Sequence, residues 1–393
     1  MAGRSPYRAN GTRDNGTMHI AHVTSFFAAA PVGPSSAVRS RGLAYRAAGH
    51  EFSVIVPGKE PSVTRAEFGT VITVPARGRA LARGFVPIAK AVRRALASLV
   101  PDQIEVADRL SAREIGSWAK LHRVPAIYLI DTSSNDAAHL HNIDGYDRVV
   151  SVAPLDHDRD SRASPLEPSE RSAKEPANAS PPGDEFLRAP AGVNLEIFSP
   201  LRHSSSLRDS SGADLVILCA TPLTLAGLPA LAIDLVKRRS AKGEDVHLVI
   251  LGDGPLRGRL ERSAVGLPVQ FLGAHDLTLT ERAEVFATAD IAVVTLGNHE
   301  GHAVALESLA AGTPVVTTTA CSPSLTFADG GGLCVEPDLN QIEGAIRALE
   351  EQPVENRRNA ARSSSLVHDC SASERDLLAL HESLHLSLPR DAD

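Results

Sequence analysis

The sequence predicts an α/β fold with two doubly wound domains that face each other across a cleft. Short apolar segments rich in β-branched residues alternate with helical segments along most of the chain. This alternation is typical of parallel sheets with helices on both faces. The length of 393 residues suits two domains, because one domain usually takes roughly 100–200 residues.

Changes in composition predict the domain boundaries. A stretch rich in Pro, Ser, Asp, Glu and Arg, with almost no large apolar residue, interrupts the alternation near the middle of the chain and predicts a surface loop or linker. We expect six parts in order: a disordered tail (1–17), an amino-terminal Rossmann-like domain (18–153), the polar linker (154–186), an interdomain segment (187–213), a carboxyl-terminal Rossmann-like domain (214–368) and a last helix that packs back on the first domain (369–393).

The composition excludes several classes of protein. The net charge of −7 does not favour binding to nucleic acid or to broad anionic membrane surfaces. The four cysteines show no C-x-x-C pair and no metal-ligand spacing, which predicts free thiols in a reducing compartment and no metal site. No apolar run approaches the ~18 residues of a membrane span, and no signal peptide is recognisable. We therefore expect a cytoplasmic protein, and peripheral contact with a membrane stays open.

The first half reads as alternating strands and helices. Its apolar segments predict strands at Met18–Phe27, Phe52–Val56, Val71–Pro75, Asp102–Ala107, Ala126–Ile130 and Tyr146–Val152. Helices are expected between them at Val38–Ala48, Leu81–Leu99 and Ala112–His122. The opening strand, a loop with Gly33, a helix and a second strand form a Rossmann-like unit. It lacks G-x-G-x-x-G, which argues against a dinucleotide-dependent oxidoreductase.

The second half repeats this plan. Strands are predicted at Leu215–Ala220, Val246–Leu251, Val269–Leu272, Ile291–Leu296, Val315–Thr319 and Leu333–Val335. Helices are predicted at Gly227–Arg239, Leu256–Ser263, Glu281–Ala289, His302–Ala311, Gln341–Glu350 and Ser373–Leu386. Two domains of this kind leave a cleft between them, which is a common place for a substrate site.

The stretch from Asp290 to Thr319 is the central candidate for function. It reads as a strand, a short polar loop, a helix closed by Gly312, and a second strand. Ligands of open α/β sheets bind at the carboxyl ends of strands, where the next helix directs its amide groups into the crevice. Glu300 in the loop and Glu307 on the helix place two carboxylates there, and carboxylates suit the hydroxyl groups of a sugar or ribose.

Several segments together resemble the family 4 retaining glycosyltransferases of the two-Rossmann GT-B architecture. The resembling segments are H-I-A-H-V-T-S-F-F with Gly33, A-A-G-H-E-F-S-V-I-V-P, P-A-G-V-N-L-E-I-F-S-P, V-I-L-G-D-G-P-L, V-Q-F-L-G and H-E-G-H-A-V-A-L-E-S-L-A-A-G-T-P-V-V. Each is weak alone, but they occur in the family's order through most of residues 18–386. The segment D-Q-I-E-V-A-D-R is weakly similar to actinobacterial members that act on lipid or mannoside acceptors.

The resemblance implies a reaction and a site. Such enzymes move a sugar from a nucleotide diphosphate sugar to an acceptor with retention at the anomeric carbon, normally without a metal or other cofactor. It implies catalytic roles for Glu300 and Asp131. It implies that the first domain holds the acceptor and the second holds the nucleotide sugar. The donor would be contacted by residues of four loops and of the helix after the last loop: Gly33, Thr221, Gly252, Gly254, Glu300, Gly301, His302, Ala303, Val304 and Glu307. The acceptor, a sugar or a lipid, is not defined by the sequence.

The chain departs from the family pattern at the diphosphate. The family's G-R-x-x-x-x-K-G is replaced by A-T-P-L-T-L-A-G, so that Thr221 and Ala226 stand where the Arg and Lys belong. Charge-assisted hydrogen bonds of about 1.5–3 kcal/mol each are lost with those cations. Glu300 and Glu307 are seven residues apart rather than the family's eight, so His299 is the alternative to Glu300. Asp131 lies near the position of the family's His.

Five residues are weaker candidates for binding a phosphate or a metal ion. His302 is expected near a helix N-terminus and is either a phosphate contact or a surface residue. Arg257 and Arg259 could supply positive charge or be exposed. His139 and His141 have a spacing that does not favour a metal site.

The sequence is compatible with two functions from different classes. The first is an active hexosyltransferase with an unusual set of diphosphate contacts. The second is a catalytically weak or inactive GT-B homologue that acts as a binding or regulatory partner. Loss of both cations favours the second, whereas retention of the two Glu residues and the Gly252 turn favours the first.

Overall fold

A computed structural model gives the structure of the chain. It describes residues 16–24, 33–58, 60–77, 86–87, 89–107, 111–130, 144–152, 187–189, 192–273, 277–297, 299–319, 321 and 325–387. Most of the predicted tail and the whole predicted linker lie outside these described residues. The linker and the other predicted domain boundaries therefore stay predictions.

The first sheet is built mainly from the amino-terminal half. Within the described residues its strands are β1 (His19–Val23), β2 (Glu51–Gly58), β3 (Ser62–Ala66), β4 (Gly69–Arg77), β5 (Val86–Pro87), β6 (Gln103–Val106), β7 (Ala126–Ile130), β8 (Arg148–Ser151) and β9 (Leu187–Arg188). Their order is β3-β4-β2-β1-β6-β7-β8-β9, and β5 pairs with β4. The helices are α1 (Gly33–Ala47), α2 (Ala89–Leu99) and α3 (Ala112–His122).

The second sheet is parallel throughout the described residues. Its strands are β10 (Leu215–Ala220), β11 (Val246–Leu251), β12 (Val269–Leu272), β13 (Ile291–Val294), β14 (Val315–Thr318) and β15 (Gly332–Val335), in the order β12-β11-β10-β13-β14-β15. The helices of this half are α4 (Ser205–Ser211), α5 (Pro229–Ala241), α6 (Arg257–Ser263), α7 (Leu279–Thr288), α8 (His299–Ala310), α9 (Leu339–Glu350), α10 (Val354–Ser365) and α11 (Ser371–Ser387).

The architecture confirms the predicted fold class of two doubly wound α/β domains. The first sheet is nevertheless not wholly parallel, because β3 and β5 both run antiparallel to β4. Strand β3 escaped prediction because most of its residues are exposed and show no apolar run. The helix predicted from Leu81 is also wrong at Val86–Pro87, which form β5.

Helix α10 was not predicted, because its sequence V-E-N-R-R-N-A-A-R-S-S-S has no apolar face. Arginines attach it to the second half. Arg362 donates to the carbonyl oxygens of Phe198 and Ala310 at 2.8 and 2.5 Å. Arg358 donates to the carbonyl oxygen of Ala287 at 2.6 Å. Ala287 and Ala310 lie in the last turns of α7 and α8, where carbonyl oxygens have no partner within the helix.

The connections between the two halves run side by side. The amide of Val193, in the segment that leaves the first half, donates to the carbonyl oxygen of His368 at 2.9 Å. The amide of Cys370, in the returning segment, donates to the carbonyl oxygen of Val193 at 3.1 Å. Main-chain hydrogen bonds thereby hold the two connecting segments together next to the start of α11.

Helix α11 packs against the first sheet. Its residues Leu377 and Leu384 share a buried cluster with Ile127, Leu129 and Val150 of β7 and β8. Burial of two leucines contributes roughly 1.5–3 kcal/mol for each side chain. Helix α11 thus contributes to the core of the first half, although it follows the second half in the chain.

A buried carboxylate joins α11 to the interior of the first half. Glu105 of β6 is fully buried and accepts hydrogen bonds from the Tyr45 hydroxyl at 2.6 Å and from Arg41 at 3.1 Å. It also bonds the rings of His22 and His381, each at 2.8 Å. Burial alone would raise the pKa of Glu105, but Arg41 and the two histidines outweigh it and hold that pKa well below its ordinary value.

We predict that E105Q destabilises the protein by about 3–5 kcal/mol at pH 7, because it leaves Arg41 buried without its counter-ion. The carboxylate of Glu105 has a lowered pKa in the folded state, so its contribution is present above the unfolded pKa and is lost as pH falls through the folded one. Chemical denaturation of both proteins across a pH series measures the difference, which should shrink in acid. E114Q, at an exposed position of α3, is the control. Equal stability of E105Q and wild type at pH 7 would contradict this account.

Candidate active site

Four loops of the second half meet at one edge of its sheet. Strands β11, β10, β13 and β14 are neighbours and parallel, so their carboxyl ends lie at the same edge. The described residues of the loops that follow these strands are 221–227, 252–256, 295–297, 319 and 321, and we call these four loops the edge loops. Chain order reverses between β10 and β13, and such a switch point opens a crevice for a ligand. Most of the predicted donor residues lie in these loops or on α8.

The loop after β11 approaches the loop after β10 very closely. A Cβ atom on Gly252 would lie 2.0 Å from the Thr221 carbonyl oxygen, and one on Gly254 would lie 2.5 Å from the Leu223 carbonyl oxygen. The amide of Leu223 donates to the Asp253 carbonyl oxygen at 2.9 Å. Glycine is therefore required here by the close approach of two backbones.

The loop at residues 221–227 is held by threonine hydroxyls. Thr221 is buried and donates to the Gly227 carbonyl oxygen at 3.2 Å. Thr295, after β13, donates to the same carbonyl oxygen at 2.5 Å. Ala226 is exposed, as is Leu225 beside it. Of the two positions, 226 can accept a long side chain at the surface and 221 cannot.

Helix α8 begins three residues earlier than predicted, at His299, and the predicted catalytic Glu300 lies in its first turn. The side chains of His299 and Glu300 lie outside the described part of the structure. Gly301 is buried, and a Cβ there would lie 1.8 Å from the Leu296 carbonyl oxygen. This contact packs the first turn of α8 tightly against the end of β13.

His302 is buried rather than on the surface. Its ring lies edge-on to that of His368, with 6.1 Å between ring centroids. His302 thus contacts the segment that returns to the first half. Ala303 is half-buried, and the side chain of Val304 belongs to the hydrophobic core of the second half.

Glu307 is buried in an ion pair. Arg282 of α7, also buried, donates to its Oε2 atom from Nε at 3.1 Å and from a terminal nitrogen at 2.5 Å. The hydroxyl of Ser36, on α1 of the first half, also hydrogen-bonds the carboxylate of Glu307. Burial raises the pKa of Glu307 above its ordinary value, and Arg282 and Ser36 offset part of that increase. The predicted donor-binding carboxylate of Glu307 therefore lies where the two halves meet.

Further bonds cross between the halves beside Glu307. Arg39 of α1 donates to the carbonyl oxygen of Leu277 at 2.8 Å and to the carboxylate of Glu67 at 3.3 Å. Glu67, which follows β3, accepts from the amide of Leu279 at the first turn of α7, at 2.7 Å. A carboxylate at a helix N-terminus is stabilised by the orphan amides and the helix dipole. The two halves thus touch through a network of charged groups.

Gly33, Asp131 and Arg257 are three further residues that the sequence predicts as candidates. Gly33 is the first residue of α1 rather than a loop residue. Asp131 lies outside the described residues, so its catalytic role stays a prediction, as do the donor contacts of the other site residues. Arg257 pairs with Asp253 and Glu261, at 2.6 and 2.9 Å.

Sequence reasoning missed Arg282, Ser36 and Arg39. One signal was present for Arg282. It lies three residues after Leu279 and four before Phe286, so that it shares the buried face of the helix with these two apolar residues. A charged residue at such a position requires a buried partner.

Among the described residues, no group of three or more His, Cys, Asp or Glu is arranged to hold a metal ion. The predicted absence of a metal or other cofactor stays a prediction. No helix of the described ranges has both the length and the apolar character for crossing a membrane.

Comparison with known proteins gives the class of this fold. The chain superposes on sucrose-phosphate synthase from Thermosynechococcus elongatus with a TM-score of 0.59, 16% identity and coverage of 94% of this chain and 100% of that one. It superposes on the Anabaena protein HepE, in complex with UDP and glucose, with a TM-score of 0.61, 15% identity and coverage of 93% and 100%. These likenesses concern the fold.

Sequence comparisons identify the family. Residues 226–352 match the family model described as "Glycosyl transferases group 1". A GDP-mannose-dependent alpha-(1-6)-phosphatidylinositol dimannoside mannosyltransferase of Mycobacterium tuberculosis is 30% identical over 387 residues, which cover 92% of this chain and 95% of that protein. This chain belongs to the group 1 glycosyltransferase family, and its expected enzymatic class is confirmed. An inactive homologue is not favoured, because the match to an enzyme extends over both halves.

We predict that G252A is strongly destabilising and disrupts the edge loops, since its Cβ would meet the Thr221 carbonyl oxygen at 2.0 Å. G258A is the matched control. Gly258 lies in α6, and a Cβ there would meet only the end of Arg262 at 3.9 Å. It should stabilise the protein by about 0.5–1 kcal/mol, as alanine does in a helix. Thermal unfolding compares the two, and a G252A protein as stable as wild type would contradict the described contact.

Proposed function

We propose that this protein transfers a hexosyl group from a nucleotide diphosphate sugar to a hydroxyl acceptor with retention of configuration. GDP-mannose is the first candidate donor and a lipid-linked mannoside the first candidate acceptor. The observation that carries the proposal is the similarity to the mycobacterial mannosyltransferase across 92% of this chain. Convergence of the edge loops with Glu307 and α1 supports the placement of the donor between the two halves.

The proposed reaction exchanges one bond at the anomeric carbon for another. The bond from the anomeric carbon to the β-phosphate oxygen breaks, and a bond to the acceptor oxygen forms. The acceptor proton ends on the released nucleoside diphosphate. Catalysis then depends chiefly on stabilising the negative charge that develops on the leaving diphosphate.

The described part of the site offers that stabilisation mainly through backbone amides. Helix α8 begins at His299, at the carboxyl edge of the sheet, and the start of a 12-residue helix carries a partial positive charge. The loop at residues 221–227 contributes Thr221 and Ala226 in place of two cations, and Thr221 is already engaged by Gly227. We therefore expect weaker diphosphate binding than a site with an Arg and a Lys would give.

The proposal is tested by proton NMR with GDP-mannose and a synthetic alkyl mannoside as acceptor. We expect the anomeric signal of GDP-mannose to be replaced by an α-mannoside signal, with release of GDP. A product of β configuration would contradict retention. No turnover of GDP-, UDP- or ADP-linked hexoses with any mannoside acceptor would contradict the proposed donor and acceptor classes.

We predict that A226K strengthens binding of the matching nucleoside diphosphate by about tenfold or more, because a charge-assisted hydrogen bond contributes about 1.5–3 kcal/mol. Position 226 is exposed, so the lysine should not lower the thermal stability. L225K adds the same charge one residue away, at a side chain that is 79% exposed. Titration calorimetry of both variants separates a specific contact from general attraction. Equal gains in the two variants, or none, would show that position 226 does not face the diphosphate.

A further inference from the structure

We propose that Arg282 is the positioning residue of the donor site: it holds the Glu307 carboxylate for a donor hydroxyl that takes the place of the Ser36 hydroxyl. This inference rests on the proposed function, because it assumes a donor between the two halves. Neither Arg282 nor Ser36 belongs to a motif recognised in the sequence.

The geometry of the ion pair supports the positioning role. Both bonds from Arg282 end on the same oxygen of Glu307, Oε2, at 3.1 and 2.5 Å. A carboxylate can accept about four hydrogen bonds, so Arg282 takes only part of that capacity. The guanidinium is itself fixed, since its central carbon lies 4.7 Å from the centre of the Phe286 ring. Two bonds and a stacked aromatic ring leave the carboxylate little freedom to rotate.

Ser36 is the group that a ligand would displace. Its hydroxyl comes from α1 of the first half and hydrogen-bonds Glu307 of the second half. An alcohol on a buried carboxylate is the contact that a sugar or ribose hydroxyl would make. Exchange of one hydroxyl for another keeps the carboxylate satisfied, so that donor binding would not leave a buried charge unpaired.

The positive charges that act on Glu307 come from two helices. Arg282 of α7 is in direct contact, and Arg39 of α1 attracts the carboxylate from further away. On α10, which packs against α8, Arg358 and Arg362 donate to backbone carbonyl oxygens. The adjoining strands β13 and β14 contain no charged residue. Arg282 is therefore the principal counter-ion of Glu307 among the described residues.

This arrangement predicts a pH signature. Burial raises the pKa of Glu307, and Arg282 lowers it again. Donor hydroxyls require the ionised carboxylate, so binding should weaken as pH falls through that pKa. Removing Arg282 raises the pKa further and moves the loss of binding to higher pH. Replacement by lysine keeps the charge and should restore most of the pH profile.

The test measures the affinity for nucleoside diphosphate across a pH series by calorimetry, using whichever of GDP, UDP and ADP the wild-type protein binds. We call the part of the pH profile in which affinity falls towards acid the acid limb. We expect R282L to bind about tenfold or more weakly at neutral pH, and its acid limb to lie at higher pH than that of wild type. We expect R282K to recover most of the position of that limb. S36A should bind at least as tightly as wild type, because it removes the competing hydroxyl. In an E307Q background, R282L should not move the pH profile.

R239L is the control for the loss of any buried arginine. Arg239 is equally buried and pairs with Glu350 and Glu244 next to the other core of the second half. It should lower thermal stability without moving the acid limb. A wild-type profile in R282L, or the same shift in R239L, would overturn the positioning role. Weakened binding in S36A would overturn the role given to Ser36. If wild type binds none of the three nucleotides, the proposed function fails instead.

Discussion

The buried carboxylate of Glu307 is the constraint on which the relation of the two halves depends. A charged group removed from water must be paired and hydrogen-bonded, or it costs several kcal/mol. Here one partner, Arg282, comes from the same half and the other, Ser36, comes from the opposite half. The hydrogen bond that Ser36 makes with this carboxylate thereby holds α1 against α8. Arg39 and Glu67 extend that contact to the first turn of α7.

The edge loops depend on a second requirement, which is close approach of backbones. Gly252 and Gly301 each lie where a Cβ would meet a carbonyl oxygen, and the Gly227 carbonyl oxygen is shared by two threonines. These contacts shape the crevice without any charged side chain. This lack of charge agrees with the expectation that Thr221 and Ala226 stand where the resembling family has two cations. The main source of positive potential at the edge is then the start of α8.

Much of the fold could be predicted from the sequence, because strands that are buried on both faces have continuous apolar segments rich in β-branched residues. Ala126–Ile130, Leu215–Ala220 and Val246–Leu251 were predicted to the residue. Strand β3 and helix α10 were missed because their residues do not bury an apolar face; α10 is held by arginines on carbonyl oxygens. At the site, the positions of Gly252, Gly254 and Glu307 could be predicted from motifs. The pairing of Glu307 could not, since Arg282 and Ser36 are distant in sequence and their meeting depends on how the halves pack.

The measurement that tests the central claim most directly is calorimetric titration of the wild-type protein with GDP, UDP and ADP in the absence of metal. The account places a working donor site between the halves, and it predicts saturable one-to-one binding of one nucleoside diphosphate, with GDP favoured by the similarity to the mycobacterial mannosyltransferase. Binding of that nucleotide should be at least tenfold weaker in E307Q than in wild type. Absence of binding by all three nucleotides, or binding that E307Q leaves unchanged, would contradict the site described for this glycosyltransferase.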